Sequence, residues 1–451
     1  MLGARGFRRA AAEWCDVAAM ANHIFLIGLN AFNLNKLRHI RGAEKHVYHG
    51  VLDPAEVYDT EVFPIPDMLR RAEEAIRSAG VPVDAIAGYM DFPVSTMLPI
   101  LCRRFGVRTT SLESLLKCEH KYWSRVVQRE VMPEHIPAFT AFDPFDDAAL
   151  ETIAEAGLGF PFFVKPVKSS GSRLGFRIDS PEDFDNAIGT LRAEIGLIAE
   201  PFDYILEHAE LPAEVARVGG QYCMAEEIIG GHQCTVEGYV FEGEVVPYGI
   251  VDSIRYPKVL SFHHYRYPSD LPEGVQARMR DLTGRIMHHV GYDNAAFNIE
   301  FFWDDIRDHV WLLEVNTRIS QSHCDLFEKV DGVSHHQVTI DLARGHRPDM
   351  PHREGAYPVE AKFFPRVFHK DATIARVPTA EDIAAVEAAF PGTLIALQVR
   401  PGMRLSDLPE QDSYSYALAY IWMGGESHAA LLAAYEQVLA RLPFEFADIE
   451  E

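Results

Sequence analysis

The chain has 451 residues, a formal net charge of −24, and 48% hydrophobic and 24% charged residues. It is too long for a single hydrophobic core, and its composition is that of a globular protein made of about three units. No apolar run reaches the roughly 18 residues that a membrane span needs, and the acidic surface argues against a nucleic-acid partner. An anionic small-molecule ligand would therefore have to bind in a local basic pocket.

The six cysteines are scattered, at positions 15, 102, 118, 223, 234 and 324, and none forms a Cys-x-x-Cys pair. This distribution predicts reduced, mostly buried thiols and a cytoplasmic protein, and it argues against a zinc site or a disulfide framework. Adjacent histidines at 263–264, 288–289 and 335–336 are not spaced for metal ligation on one helix face, so we expect them on the surface.

The first twenty residues contain several arginines, but Glu13 and Asp16 interrupt them and no long apolar core follows. We therefore do not expect a targeting segment, and Met20 is an alternative start because the first strong element begins just after it.

Strands are predicted at 23–29, 46–49 and 85–89, with helical patterns at 33–39 and 94–105. Strands that alternate with helices predict a small parallel α/β unit, and Asp91 follows its third strand. No Gly-x-Gly-x-x-Gly follows the first strand, so a dinucleotide site is not expected there.

The next segment contains lysines beside a small-residue loop. Residues 111–125 predict a helix that includes Lys121, and residues 160–166 predict a strand whose one lysine is Lys165. A loop at 168–175 follows at once, and its glycines and serines let backbone N–H groups approach an anion closely. Gly/Ser loops are often simple turns, so the strand lysine beside this one is the stronger evidence. The Walker spacing is absent, so the loop is not a P-loop.

Two further stretches leave alternatives open. Residues 224–238 include Glu226 and Glu227, which by themselves could be an exposed acidic pair. Residues 252–270 are rich in aromatic and cationic side chains, and they are equally consistent with a cover for a small substrate and with a packed surface loop.

Two apolar runs at 295–302 and 311–319 flank a polar turn at 304–308, which predicts a β-hairpin. Alternation places Asn298 and Glu300 on one face of the first strand. It places Glu314, Asn316 and Arg318 on one face of the second.

If the turn is symmetric about Arg307, Glu300 lies opposite Glu314, and two facing carboxylates are destabilising unless a cation neutralises them. Carboxylates and an amide oxygen are ligands that Mg²⁺ takes, with its other positions left for water and substrate phosphates. The alternative is the solvated polar face of an ordinary hairpin.

From residue 351 onward, strands at 359–364, 393–399 and 416–422 precede a helix at 427–442. Strands followed by a helix predict an α+β cap.

The segment Glu-Val-Asn-Thr-Arg at 314–318, with a carboxylate strand before it and Ser322–His323 after it, resembles the magnesium-binding end of the ATP-grasp superfamily. The resemblance covers nearly the whole chain after about residue 20 and is strongest at 160–176, 224–238 and 295–323. It implies the mixed α/β and α+β ATP-grasp fold in three domains. These are an N-terminal parallel α/β pre-ATP-grasp domain at 20–118, an ATP-grasp domain of two subdomains with the nucleotide between them at 119–345, and a C-terminal α+β cap at 346–451.

The resemblance also implies ATP and Mg²⁺ as cofactors, with two metal ions and with Mn²⁺ as a substitute. It assigns the phosphates to Lys121, Lys165, Ser169, Ser170, Gly171 and Ser172, and the adenine to Glu226, Glu227 and Ile229. Gln233 stands where many relatives have a glutamate that holds the ribose. The metal ligands would be Glu300, Glu314 and Asn316, with Arg318 at the reacting group. His323 is either a candidate general base or a histidine that only packs or forms hydrogen bonds.

The function that the resemblance implies is ATP-dependent carboxylate–amine ligation of the L-amino acid ligase kind, through an acyl phosphate and with release of ADP and phosphate. The substrates would be a small-molecule carboxylate and an amine, and we expect both to be amino acids. We expect no nucleic-acid or membrane partner, and a homodimer is compatible with this function.

Two alternatives remain. Biotin carboxylase has a similar pattern but carries a glutamate immediately before the histidine, where this chain has Ser322, and its phosphate loop has a longer glycine run. A catalytically silent ATP-binding regulator is the other, and the retained glutamates, asparagine, arginine and lysines argue against it.

Overall fold

The computed structural model describes residues 21–58, 60, 62–169, 174–259, 261–368, 370–408 and 415–448. Within this part of the chain no helix is both long enough and apolar enough to cross a membrane. The five cysteines that lie in it are all buried and unpaired, as the sequence predicted.

The N-terminal unit is a three-stranded parallel sheet in the order β2-β1-β3, which confirms the predicted α/β unit. The apolar run Ile24–Ile27 is completely enclosed, because helices cover a parallel sheet on both faces. The elements, in chain order, are β1 (Asn22–Ile27), α1 (Ala31–Arg38), β2 (His46–Val51), α2 (Pro54–Val57), α3 (Ile65–Ser78), β3 (Ala85–Ala87) and α4 (Val94–Phe105).

Two helices, α5 (Leu112–Glu119) and α6 (Lys121–Val131), stand where the sequence predicted one continuous helix at 111–125. The prediction was wrong because His120 has an extended backbone, with φ −82° and ψ 101°, that ends the first helix. The His120 imidazole then accepts the backbone N–H of Trp123 and caps the second. Lys121 is therefore the first residue of a new helix.

A four-stranded antiparallel sheet follows, in the order β4-β7-β5-β6. Its register pairs Phe163 with Glu226 and Lys165 with Met224, so Lys165 lies on the same face as Glu226 and diagonally across from it. The elements are β4 (Phe139–Phe142), α7 (Ala149–Glu155), β5 (Phe162–Pro166), β6 (Phe176–Ile178), α8 (Pro181–Glu194), α9 (Gly196–Leu206) and β7 (Cys223–Glu227).

The rest of the chain is organised on an eight-stranded antiparallel sheet in the order β12-β11-β8-β9-β10-β13-β18-β16. Its first elements are β8 (His232–Phe241), β9 (Glu244–Arg255), β10 (Phe262–Tyr267), α10 (Glu273–Val290), β11 (Ala295–Asp304), β12 (His309–Asn316), α11 (Cys324–Asp331) and α12 (His336–Ala343). The C-terminal elements are β13 (Val359–Phe363), β14 (Arg366–Phe368), β15 (Thr373–Arg376), α13 (Ala380–Ala389), β16 (Thr393–Leu397), β17 (Ser415–Ala417), β18 (Ala419–Gly425), α14 (His428–Leu439) and β19 (Glu445–Ala447).

Part of the C-terminal segment shares this sheet, and its other strands form two small two-stranded sheets, β14-β17 and β15-β19. Strands β13, β18 and β16 continue directly from β10, although the domain boundary predicted after residue 345 falls in the chain between α12 and β13. Helix α13 was not predicted, and most of the stretch 252–270 forms strands β9 and β10 instead of a loop. The sheet therefore places residues of the C-terminal segment on the same face as those of the hairpin.

Candidate functional site

The hairpin of β11 and β12 carries the predicted polar face. Glu300 pairs with Glu314, as predicted, and Asn298 pairs with Asn316. The turn alone does not produce this register, because Phe301 pairs with Leu312 and would set Glu300 opposite Leu313. A β-bulge between Glu300 and Phe301 adds one residue to β12 and brings the two carboxylates face to face.

Glu300 is held by amide groups. Gln233 Nε2 donates to its Oε2 at 2.9 Å, and Asn316 Nδ2 donates to its Oε1 at 3.3 Å and to Asn298 Oδ1 at 2.9 Å. Burial, and then the negative charge of Glu314, raise the pKa of Glu300. Among the described residues, this carboxylate therefore has hydrogen-bond donors but no ion-pair partner.

Glu314 is held by an ammonium group instead, in an ion pair with Lys121. Burial alone would raise the pKa of Glu314, but Lys121 and Lys165 outweigh it and lower the pKa. Two carboxylates and an amide on one sheet face are the hard oxygen donors that Mg²⁺ takes together with phosphates and water. Glu300, Glu314 and Asn316 fit such an ion, and their role as ligands stays a prediction.

The two predicted phosphate lysines lie beside this face. Lys121 Nζ also donates to the carbonyl oxygen of Ser169 at 3.0 Å, and Lys165 forms an ion pair with Glu226 at 2.5 Å. Burial lowers the pKa of Lys165, and Glu226 acts in the opposite direction. The structure thus gathers Lys121, Lys165 and Glu314 from three separate elements. Ser170, Gly171 and Ser172 lie outside the described residues.

Glu226 forms a buried salt-bridge network with two cations. Arg125 Nε donates to its Oε1 at 2.5 Å, and Lys165 contacts its Oε2. Burial would raise the pKa of Glu226, but Arg125 and Lys165 lower it to about 2. Both carboxylate oxygens already accept from cations, so Glu226 holds Lys165 in place, and its predicted contact with adenine stays a prediction.

The other predicted nucleotide residues have different surroundings. Glu227 is exposed, and Ile229 is half-buried in the connection after β7. Gln233 forms a bridge, because Arg255 donates to its Oε1 at 2.6 Å while its Nε2 donates to Glu300. Gln233 therefore positions a candidate metal ligand, and its contact with a ribose stays a prediction.

Arg318 joins the hairpin to the N-terminal unit. Its guanidinium donates to Asp91 Oδ2 at 3.0 Å, and Lys168 contacts Asp91 Oδ1 at 3.2 Å. Burial would raise the pKa of Asp91, but Lys168 and Arg318 lower it strongly. Lys168 also pairs with Glu119, which accepts from Thr317 Oγ1 at 2.5 Å. Sequence reasoning assigned no role to Lys168 or Glu119, although Lys168 follows Lys165 by only three residues.

His323, the candidate general base, is buried with 3% exposure. Its Nδ1 lies 2.7 Å from Glu237 Oε1, and its ring packs edge-on against Tyr265. Burial, then Lys362 and Arg318, lower the pKa of His323 to about 3, while burial raises the pKa of Glu237 to about 7. His323 is therefore neutral at pH 7, and its role as a base stays a prediction.

The expectation of surface histidines was wrong for three of them. His264, His335 and His336 are buried. His335 Nε2 lies 2.8 Å from the Ser320 carbonyl, and His336 Nε2 lies 2.7 Å from Asn33 Oδ1. These hydrogen bonds allow the imidazoles to be enclosed, which their spacing in the sequence could not reveal.

Comparison with known proteins agrees with this geometry. Residues 158–325 match the family model of the ATP-grasp domain. A D-alanine–D-alanine ligase of Parasynechococcus marenigrum is 28% identical over 208 residues, which cover 44% of this chain and 51% of that ligase. The chain thus spans about half the length of this curated relative.

Two solved structures extend the likeness to nearly the whole chain. An L-amino acid ligase from Bacillus licheniformis has a TM-score of 0.65 at 14% identity, covering 95% of this chain and 100% of that one. A biotin carboxylase from Campylobacter jejuni has a TM-score of 0.65 at 16% identity, covering 96% of this chain and 94% of that one. At such identities the likeness shows the fold. The chain therefore carries an ATP-grasp domain at residues 158–325 and has the mixed α/β ATP-grasp fold.

Proposed function

We propose that this protein is an ATP-dependent ligase that activates a small carboxylic acid as an acyl phosphate and couples it to an amine, releasing ADP and phosphate. The observation that carries the proposal is the pairing of Glu300 with Glu314 beside Lys121 and Lys165. Facing carboxylates next to buried ammonium groups suit a polyphosphate that arrives with a divalent cation.

In the first step an oxygen of the acid attacks the γ-phosphorus of ATP, and the bond from that phosphorus to ADP breaks. The chain's contribution is positioning and charge neutralisation. Lys121, Lys165 and the loop that begins at Ser169 hold the phosphates, and Arg318 steadies the transferring group. Glu300, Glu314 and Asn316 would hold Mg²⁺, and we expect two ions. The metal would neutralise negative charge on the phosphate oxygens.

In the second step the amine attacks the acyl carbon and phosphate leaves. Asp91, Lys168 and Arg318 form a charged group at the junction with the N-terminal unit, where an acid and an amine could be oriented. The names of two similar proteins, D-alanine–D-alanine ligase and L-amino acid ligase, favour amino acids as substrates. The buried, unpaired cysteines of the described chain favour the cytoplasm, and a homodimer stays an expectation.

Biotin carboxylation is the alternative that a shared fold also allows. The position of the glutamate that this activity would use is occupied by Ser322, whose hydroxyl accepts a hydrogen bond from Lys362 at 2.9 Å. A hydroxyl group bonded to a lysine cannot replace a carboxylate base, so we favour the ligase.

ADP release measured over pairs of amino acids and small carboxylates tests the proposal. We expect release that depends on an organic acid and rises further when an amine is added. Bicarbonate with biotin should not replace the pair. Biotin-dependent ADP release would contradict the ligase and favour the carboxylase. Tight MgATP binding with no ADP release for any pair would contradict the ligase and favour the silent regulator.

A further inference from the structure

Lys362 on β13 is a buried lysine in an aromatic enclosure, which we call the lysine cage. Its side chain is 3% exposed, and its Nζ lies 4.0 Å from the ring centre of Tyr420, 4.8 Å from that of Trp422 and 5.0 Å from that of Phe364. Among the described residues no carboxylate lies within salt-bridge distance of it. A lysine that is buried without a counter-ion is unusual unless it has a chemical task.

The sheet places Lys362 on the same face as the candidate metal site. Directly paired residues run across the neighbouring strands β8, β9, β10, β13 and β18, in the order Gln233, Ser253, Tyr265, Lys362 and Trp422. Side chains of directly paired residues point to the same face. Gln233 donates a hydrogen bond to Glu300. Three strand spacings of ~4.8 Å separate Gln233 from Lys362, so the two residues lie about 14 Å apart across the sheet. Lys362 and the candidate metal site therefore share one sheet face, with Ser253 and Tyr265 on the two strands between them.

The chain that follows Arg318 crosses this face and connects the two ends. Lys362 Nζ donates to Ser322 Oγ at 2.9 Å, and Trp422 Nε1 donates to the Ser322 carbonyl at 3.5 Å. The charges of Lys362 and Arg318 both act on His323. Lys362 is therefore beside the segment that carries the proposed reacting-group arginine.

Burial lowers the pKa of Lys362 to about 7, Arg366 acts in the same direction, and Cys324 and Asp325 oppose them. The titratable and charged groups around it are Tyr265 on β10, Tyr420 on β18, Arg366 beyond β13, His323 in the crossing segment, and Cys324 and Asp325 at the start of α11. At neutral pH its amine is thus available in both protonation states, which is what a general base requires.

We propose that Lys362 accepts a proton from the amine substrate during the second step, an inference that rests on the proposed ligase. As the bond from nitrogen to the acyl carbon forms, the bond from that carbon to the phosphate oxygen breaks, and its electron pair leaves with phosphate. Lys362 takes the first of the three protons of the primary ammonium before this attack, which frees the nitrogen lone pair. The departing phosphate takes the second proton, and the third remains on the amide. Lys362 then returns its proton to solvent before the next turnover.

A test with hydroxylamine separates a general-base role of Lys362 from a purely structural role. Hydroxylamine is a weak base that is already neutral at pH 7, so it needs no base to remove a proton before it attacks. It should trap the acyl phosphate as a hydroxamate without help from a base. We expect Lys362→Met to reduce amide formation with an alkyl amino acid by at least ~100-fold while hydroxamate formation stays near the wild-type rate. The wild-type rate of amide formation should rise with pH through a value near 7, and this rise should be missing in the variant.

Lys362→Arg keeps the positive charge but cannot accept a proton at these pH values, so it should also lose amide formation and keep hydroxamate formation. Lys370→Met, which changes an exposed lysine of the same C-terminal segment, is the matched control and should behave as wild type. Amide formation retained by Lys362→Arg, or equal loss of both reactions in Lys362→Met, would overturn the proposal. If the wild-type protein forms no hydroxamate with any acid, the proposed ligase function is wrong, and this inference fails with it.

Discussion

Replacing Glu314 by glutamine is expected to reduce Mg²⁺-dependent ADP release by at least ~100-fold while the protein stays folded. The change removes one negative charge from the facing pair of Glu300 and Glu314, which we propose binds the metal. The glutamine oxygen can still accept from Lys121, and Lys121 keeps its bond to the Ser169 carbonyl. The Glu314 side chain is 34% exposed and that of Glu226 only 5%, so the lost charge should cost less stability here than at Glu226.

The matched control for this change is Asp305→Asn. It makes the same carboxylate-to-amide replacement in the exposed turn of the same hairpin, away from the polar face. ADP release and thermal unfolding should both be unchanged in the control, and thermal unfolding should be close to wild type in Glu314→Gln. Full ADP release by a folded Glu314→Gln protein would show that Glu314 is not a metal ligand.

Glu226→Gln is expected to lower the free energy of unfolding by about 3–5 kcal/mol, because it leaves buried cations without the carboxylate they share. Arg125 and Lys165 both contact Glu226, and neither is solvent-exposed. The adjacent Glu227→Gln changes an exposed carboxylate and should stay within about 0.5 kcal/mol of wild type. Urea unfolding of the two variants measures the difference, and equal effects would contradict the network.

The effect of Glu226→Gln should also depend on pH. The pKa of Glu226 is 4.5 in its ordinary state and about 2 in the folded protein, so it contributes stability above pH 4.5, worth about 3 kcal/mol. This contribution is lost as the pH falls from 4.5 to about 2, because over that range the unfolded chain binds a proton at Glu226 and the folded protein does not. The difference between wild type and Glu226→Gln should shrink over that range. A difference that stays constant there would mean that the carboxylate charge does not stabilise the fold.

The hairpin shows which features of a β-sheet local sequence patterns can predict and which they cannot. Alternation and turn symmetry predicted that Glu300 faces Glu314, and the register agrees. The agreement depends on a bulge that no residue pattern indicated, since the turn itself would have paired Glu300 with Leu313. The β-propensity and polarity of a segment predict a strand and its faces, whereas register depends on how the whole pair packs.

The contacts that sequence reasoning missed join residues far apart in the chain. Arg318 and Asp91 are 227 positions apart, and Lys362 and Ser322 are 40 apart. The lysine cage lies on the same sheet face as the polar residues of the hairpin because β13 and β18 join the hairpin's sheet, whereas the sequence had predicted a cap for them. The break at His120 is a change in one residue's backbone angles, which periodicity over a whole helix does not detect.

The most direct test of the proposed chemistry follows an oxygen atom from the acid to the released phosphate. In the proposed mechanism the acid's oxygen attacks the γ-phosphorus, and the same oxygen leaves with phosphate when the amine displaces it. With an acid labelled with heavy oxygen and the best amine partner, mass spectrometry should find one labelled oxygen atom in each phosphate released. Phosphate without label would mean that water attacked ATP, and it would contradict activation of the acid through an acyl phosphate.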